Sequence, residues 1–402
     1  MINFFLLIWI LIWGGMYSGL YNITSIMFAS PLGLFQGVRA FFPLLALYLS
    51  LLWFILKRER LPSFSSPLGL FLIYGLTGIL TSLTSPSKTV SLYWGGLYLA
   101  PILALALVAN QEDSLEILKK LIWVNYVVAI GLTVLFFPEM WQIGFGGQVR
   151  QMFYSLPFGL GVIRANGVGR LALITLIVSF IRFLYQKGLK RYLWFGLIIP
   201  GLYLLAQSQS RTALLGLAVS SLIFVVLWQL RWQFLVAGPV VAYLLYVVGY
   251  KWRAQEKLAM LFTLTGREFT WKQAMDYIRQ SPLLGWGFHT DRLLLNSQHI
   301  HNSYIHAMLH GGVVATMFFV AAVIKIWAVV WREKLLFRLD EFSVADQPYL
   351  IESLCLLGFL TSRSFFESTA AFYGVDLLLF LPAILFLTLI VNQELPKEES
   401  QA

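Results

Sequence analysis

The chain has 402 residues, of which 59% are hydrophobic and only 12% charged, with a mean hydropathy of +0.75. A soluble globular domain carries about a quarter charged residues, so composition excludes that class and points to a polytopic membrane protein. The net charge of +10 fits anionic partners as well as the Lys and Arg that membrane proteins use to set topology, whereas the single cysteine, Cys355, excludes an intramolecular disulfide and a cysteine-based zinc site.

Taken in chain order, long apolar runs predict an all-α protein of about twelve transmembrane helices. They lie near 3–20, 37–56, 67–84, 89–109, 121–137, 168–186, 192–208, 212–229, 232–250, 311–331, 349–366 and 374–392. The first run has no basic segment before it and no small-residue cleavage site after it, so it reads as a retained helix. "KRER" (57–60), "KK" (119–120), "QKGLKR" (186–191), Arg231 and "REK" (332–334) fall on one side of this arrangement, while 21–36 and 82–88 are nearly free of basic residues. The positive-inside rule then places both termini in the cytoplasm. Residues 1–402 read as one integral domain. It contains a large outer loop over 251–310 and a region of unusual polar motifs over 164–315.

The outer loop breaks the charge rule with Lys251, Arg253, Lys257, Arg267, Lys272, Arg279 and Arg292. Long loops are exempt from that rule; the alternative is that some of these cations hold an anionic substrate at the outer face. "TGREFTWKQAMDYIRQSP" predicts a helix. Thr265 and Glu268 have capping-box spacing, Phe269, Ala274 and Ile278 give an apolar stripe, and Ser281-Pro282 is a stop. "GWG" (285–287) predicts a turn.

Several charges stand at outer helix ends. Arg164 and Arg170 lie in "VIRANGVGRLAL", Arg211 in "AQSQSRTALLG", and Arg363 with Glu367 in "TSRSFFES". A boundary arginine can snorkel to headgroups, or its fork can bind phosphate oxygens. Arg267, opening the loop helix, would add a helix N-terminus to such a site. Arg363 and Glu367, four apart, can form a helical ion pair.

Histidine is concentrated. "HIHNSYIHAMLHGG" (299–312) holds His299, His301, His306 and His310, and His289 lies ten residues upstream. Zinc is conceivable from these spacings. Against it stand the missing H-E-x-x-H, the absence of a ligating cysteine, and the lack of any close carboxylate but Asp291. One histidine acting as a general base near neutral pH is the competing use. Polar helix packing is the plain reading of His306 and His310.

"SQSRTALLG", "GREFTWKQAMDYIRQSPLLGWGF" and "HNSYIHAMLHGG", in that order, resemble the core of the O-antigen ligase and polymerase superfamily, and "RANGVGR" is similar to a further motif upstream of it. The resemblance implies an enzyme that moves a glycan from undecaprenyl diphosphate on the periplasmic face of the bacterial inner membrane. It further implies that His301 is the catalytic base and that Arg211 and Arg267 clamp the lipid diphosphate. Relatives often carry Glu where this chain has His310. Arg164, Trp286, Asn302, Arg363 and Glu367 are read as further candidates for the substrate pocket. The expected enzyme is an inverting glycosyltransferase with no cofactor and no metal. Its expected partners are a polyprenyl-diphosphate-linked glycan donor, a glycan or lipid A-core acceptor and membrane lipids, with no nucleic acid. A polymerase, a protein O-oligosaccharyltransferase, a lipid-linked glycan flippase and a zinc-dependent hydrolase are the competing readings.

Overall fold

The computed structural model describes residues 2–16, 31–143, 153–155, 162–227 and 267–394. Its helices are α1 (Ile2–Gly14), α2 (Pro31–Ala40), α3 (Phe42–Lys57), α4 (Pro67–Thr81), α5 (Lys88–Ala109), α6 (Ser114–Ile143), α7 (Ala165–Tyr185), α8 (Leu189–Ser208), α9 (Arg211–Leu227), α10 (Arg267–Gln280), α11 (Thr290–Leu294), α12 (Ser303–Arg332), α13 (Gln347–Arg363) and α14 (Val375–Glu394). The one piece of sheet among the described residues, β1 (Phe153–Ser155) paired antiparallel with β2 (Val162–Arg164), was not foreseen in the sequence. Among these residues, eight helical stretches are long and apolar enough to cross a membrane; α1 and α9 are apolar but shorter. The expected span at 232–250, and Arg231, lie outside the described residues.

The core is α5 and α14, which bury most of their length, with α1, α3, α4, α6, α12 and α13 packed around them. Apolar side chains on every face suit these helices to that position. The polar groups they enclose are all the more telling. Pro382 has no N–H to give the carbonyl of Leu378 one turn earlier. Asn125 of α6 supplies the missing donor, its Nδ2 lying 2.7 Å from that oxygen. Its Oδ1 in turn accepts from the indoles of Trp9 and Trp13, each at 2.7 Å. One amide therefore ties α1, α6 and α14 where no water is at hand.

Polar contacts gather at the two ends of the bundle. At one end Asn110 bonds the Arg60 carbonyl, Lys119 pairs with Asp346, Tyr185 meets Gln347 and Gln393 meets Ser114. The basic clusters at 57–60, 119–120, 186–191 and 332–334 flank helix ends on this side. Further in from this end, Arg182 and Glu352 form a bidentate pair at 2.6 and 2.8 Å. The opposite end holds the arginines and histidines of the polar motifs.

There α12 is broken. Gly311 (φ −131°) and Gly312 (φ 63°, ψ −166°) leave the helical conformation, and the loop after α10 uses the backbone groups this frees. Trp286 N donates to Leu309 O (2.9 Å), Gly287 N to His310 O (2.7 Å), and Val313 N to Pro282 O (2.8 Å). Both sides of the contact need glycine. A Cβ on Gly312 would stand 2.2 Å from the Leu283 carbonyl carbon, and one on Gly285 (φ 65°) 2.5 Å from Gly312 N. The "GWG" and "HGG" motifs are therefore two halves of one joint.

Candidate active site

His301 precedes α12 with φ 53°, a left-handed conformation that turns the chain sharply into the helix. Asn302 caps that helix, its Oδ1 accepting from Tyr304 N and Ile305 N at 2.9 and 3.0 Å. Its Nδ2 donates to Phe365 O at 3.0 Å, and the Ser303 hydroxyl lies against the carbonyls of Glu367 (3.0 Å) and Thr369 (2.8 Å). "HNS" thus carries the imidazole, caps the helix and fastens the 364–369 segment. That segment carries Glu367.

Glu367 is the hub. Its Oε2 accepts from His301 Nδ1 at 2.7 Å, and its Oε1 accepts from Arg267 Nη2 at 3.0 Å and from Asn166 Nδ2 at 3.1 Å. Arg267 also donates to the Phe366 carbonyl. Burial opposes charge on Glu367, but His301, Arg363 and Arg267 outweigh it and hold the carboxyl below its ordinary range. An ionised carboxylate can only accept, so the Nδ1 it faces carries a proton, and in the neutral tautomer of this imidazole the lone pair is on Nε2. The imidazole is about a quarter exposed, which leaves it reachable from outside.

A second ion cluster fixes the neighbouring helix ends. Arg363 Nε and Arg170 Nη1 grip the two oxygens of Asp376 at 3.1 and 2.8 Å. Arg363 Nη1 also donates to Thr212 Oγ1 at 2.9 Å. Thr212 follows Arg211, the first residue of α9. Ser210 precedes that helix, its carbonyl accepting from Leu214 N at 3.0 Å. Arg211 therefore sits at a helix N-terminus at the same end of the bundle as His301 and Arg267. "RANGVGR" belongs to the same construction. Asn166 reaches Glu367 and Arg170 reaches Asp376. At Gly169 a Cβ would lie 2.6 Å from Ser208 Oγ and 2.7 Å from Ser210 Cβ, so only glycine lets α7 approach the α8–α9 turn this closely.

The remaining histidines stand behind His301. His299 Nδ1 pairs with Asp291 Oδ2 at 2.8 Å, and His306 Nε2 faces Asp291 Oδ1 at 3.5 Å. His310 Nε2 accepts from the His289 amide at 3.1 Å, and the His289 ring stacks on Trp94 with centroids 4.4 Å apart. Burial pushes His299 down to about 3 against the pull of Asp291. Asp291, though buried, stays below its ordinary range because His306 and His299 face it. Asp291, His299 and His306 each bring one donor atom within 4.8 Å of the others, a set able to hold a metal ion.

Residues 195–320 match the family described as O-antigen ligase. Over these residues, less than half of its length, the chain is similar to that family. No curated protein matches it. The matched segment runs from α8 into α12 and holds Arg211, Arg267 and His301, whereas Asn166, Arg363, Glu367 and Asp376 lie outside it. The site is thus assembled from the matched segment and from the helices on either side.

Several sequence expectations change in detail. Arg363 and Glu367 do not pair with each other but with Asp376 and with His301 and Arg267, because α13 ends at Arg363 and Glu367 lies beyond it. Arg363 is 4% exposed and braces three helices, and Asn302 spends Oδ1 on capping α12 and Nδ2 on the Phe365 carbonyl. Trp286 packs against Tyr277, its indole donating to the Tyr277 carbonyl at 3.0 Å. These contacts make all three part of the frame around the site. Arg164 is exposed at the start of α7. The buried face of α10 is Thr270, Ala274 and Ile278, with Phe269 61% exposed; Thr265, Lys251, Arg253 and Lys257 lie outside the described residues. Asp376 was missed, although a lone carboxylate opening an apolar run ("GVDLLLF") is itself a sign of a buried partner.

Proposed function

We propose that the protein transfers a glycan from a polyprenyl diphosphate to an acceptor hydroxyl on the outer face of the cell membrane, as an O-antigen ligase-like enzyme. The observation that carries this reading is the contact of His301 with Glu367, which leaves His301 Nε2 as a proton acceptor beside Arg267. The acceptor oxygen attacks the anomeric carbon and its proton passes to Nε2. The glycosidic C–O bond breaks, its electrons going to the diphosphate, and the anomeric centre inverts. Two of the five N–H groups of Arg267 are engaged, on Phe366 O and Glu367, which leaves three for phosphate oxygens. Arg211, at the N-terminus of α9, supplies a second cation. Fixed cations of this kind are each worth on the order of a hundredfold in rate.

The basic clusters at the far end of the bundle support an outward-facing site, since such clusters stay in the cytoplasm; the inner membrane is the matching location. A lipid A-core acceptor makes the enzyme a ligase, and another repeat unit makes it a polymerase. Accumulation of unattached long polymer in a deletion strain marks the first, and of single repeats the second.

The direct test is glycan transfer by protein purified in detergent, supplied with a polyprenyl-diphosphate glycan and no ion gradient. Wild type should transfer. His301→Ala should lose about 10²–10⁴-fold while eluting and melting as wild type does. Near-normal transfer by that variant refutes the base assignment, and no transfer by wild type with any acceptor favours a transporter.

A further inference from the structure

The buried group behind the base leaves polar atoms unsatisfied. Asp291 Oδ1 and both ring nitrogens of His306 are enclosed and have no hydrogen-bond partner among the described residues, and neither does His310 Nδ1. The Asp291 and His306 side chains are 1% and 2% exposed. Leaving such groups unpaired in a dry interior is unfavourable, so a cluster of them calls for a ligand. The distances say which. Asp291 Oδ1 and His306 Nε2 stand 3.5 Å apart, a long contact that satisfies neither atom as a hydrogen bond would. Two donors sharing a four-coordinate cation, with bonds of about 2.0–2.1 Å, lie roughly 3.3–3.4 Å from each other. His299 brings a third donor within 4.8 Å of both. A cavity of about 30 Å³ opens beside them, lined by Trp94, His289 and Phe372 among others, and is large enough for one water as a fourth ligand.

We propose that Asp291, His299 and His306 bind one divalent transition-metal ion of the zinc class. Two imidazoles and one carboxylate are a zinc donor set. Arg292 Nε lies 4.0 Å from Asp291 Oδ2, so Oδ1 is the atom that faces the ion. The ligands come from α11, from the loop after it and from α12, so the ion clips the 290s loop to the first turn and a half of α12. It sits next to His301, whose ring meets that of His299 edge-on at 4.8 Å, but His301 is not a ligand. The proposal stands on this geometry alone and does not depend on the glycan-transfer reading.

The test is Co²⁺ binding to the full chain, purified in detergent and stripped with a chelator. One Co²⁺ per chain should bind, with the visible absorption of a tetrahedral or five-coordinate ion. The same metal should raise the melting temperature. Asp291→Asn and His306→Gln should each weaken binding tenfold or more, while His301→Ala should bind as wild type does. Absence of stoichiometric binding overturns the proposal, as does binding that Asp291→Asn and His306→Gln leave intact or that His301→Ala abolishes. Should one ligand variant fail to fold, the other decides between the same two outcomes.

Discussion

At the scale of single residues, Glu367 decides how His301 behaves. The carboxylate accepts from Nδ1, and this acceptor-only partner is what frees Nε2. Gln at this position can turn its NH₂ toward Nδ1, which moves the ring proton to Nε2 and leaves no base there. Glu367→Gln should therefore lower turnover by about 10²–10⁴-fold with little change in KM for the donor, a split that steady-state kinetics would reveal. The same residue has a pH signature. Its carboxyl is held below the ordinary range by His301, Arg363 and Arg267, so its contribution to stability is complete above the unfolded carboxylate pKa of about 4.3. That contribution fades as pH falls from there toward the lower folded value. The difference in melting temperature between wild type and Glu367→Gln should accordingly be widest near pH 6–7 and narrow below about pH 4. A gap that widens in acid would contradict the assignment.

At the scale of helices, apolar length made most spans legible: α4, α5, α7, α8 and α14 begin or end within a few residues of the runs that announce them. The polar joints were less legible, because they depend on a partner far away in sequence. Nothing around "GVDLLLFLP" announces that the Leu378 carbonyl, deprived by Pro382, is met by an amide 253 residues earlier. Nor does "HGG" by itself show that a continuous apolar pattern hides a break at Gly311–Gly312. Asn125→Leu tests the first joint. It leaves the Leu378 carbonyl and the indoles of Trp9 and Trp13 without their partner in a dry interior. Hydrogen bonds between membrane helices average about 0.6 kcal/mol each, so the three together should cost about 2 kcal/mol, more if the unpaired groups stay dry. Thermal unfolding in detergent would register this as a lower melting temperature, whereas Asn125→Gln, which keeps the amide, should recover part of it.

At the scale of the molecule, the two ends of the bundle hold charge for different reasons. The motifs were legible as a set because one end unites them, although the sequence could not show that Asn166, Arg170, Arg363 and Asp376 serve as braces. At the other end Arg182 and Glu352 form a pair that was not anticipated, since each looks like an isolated charge in its own apolar run. Glu352 is fully buried, Arg182 nearly so, and the guanidinium also covers the Tyr349 ring at 4.2 Å. Removing one partner strands the other, at about 3–5 kcal/mol, whereas replacing both by neutral groups of similar volume is often near neutral. Arg182→Met and Glu352→Gln should each lower the melting temperature clearly, and the double variant should lie closer to wild type than the sum of the two predicts. Arg182 lies seventeen residues along α7 from Ala165, roughly 25 Å from the His301 end at 1.5 Å per residue. Turnover by whatever fraction stays folded should therefore be unchanged, whereas Glu367→Gln should leave a folded protein that turns over slowly. If the Arg182 variants instead lost turnover while keeping their stability, the separation of a bracing end from a reacting end would be wrong.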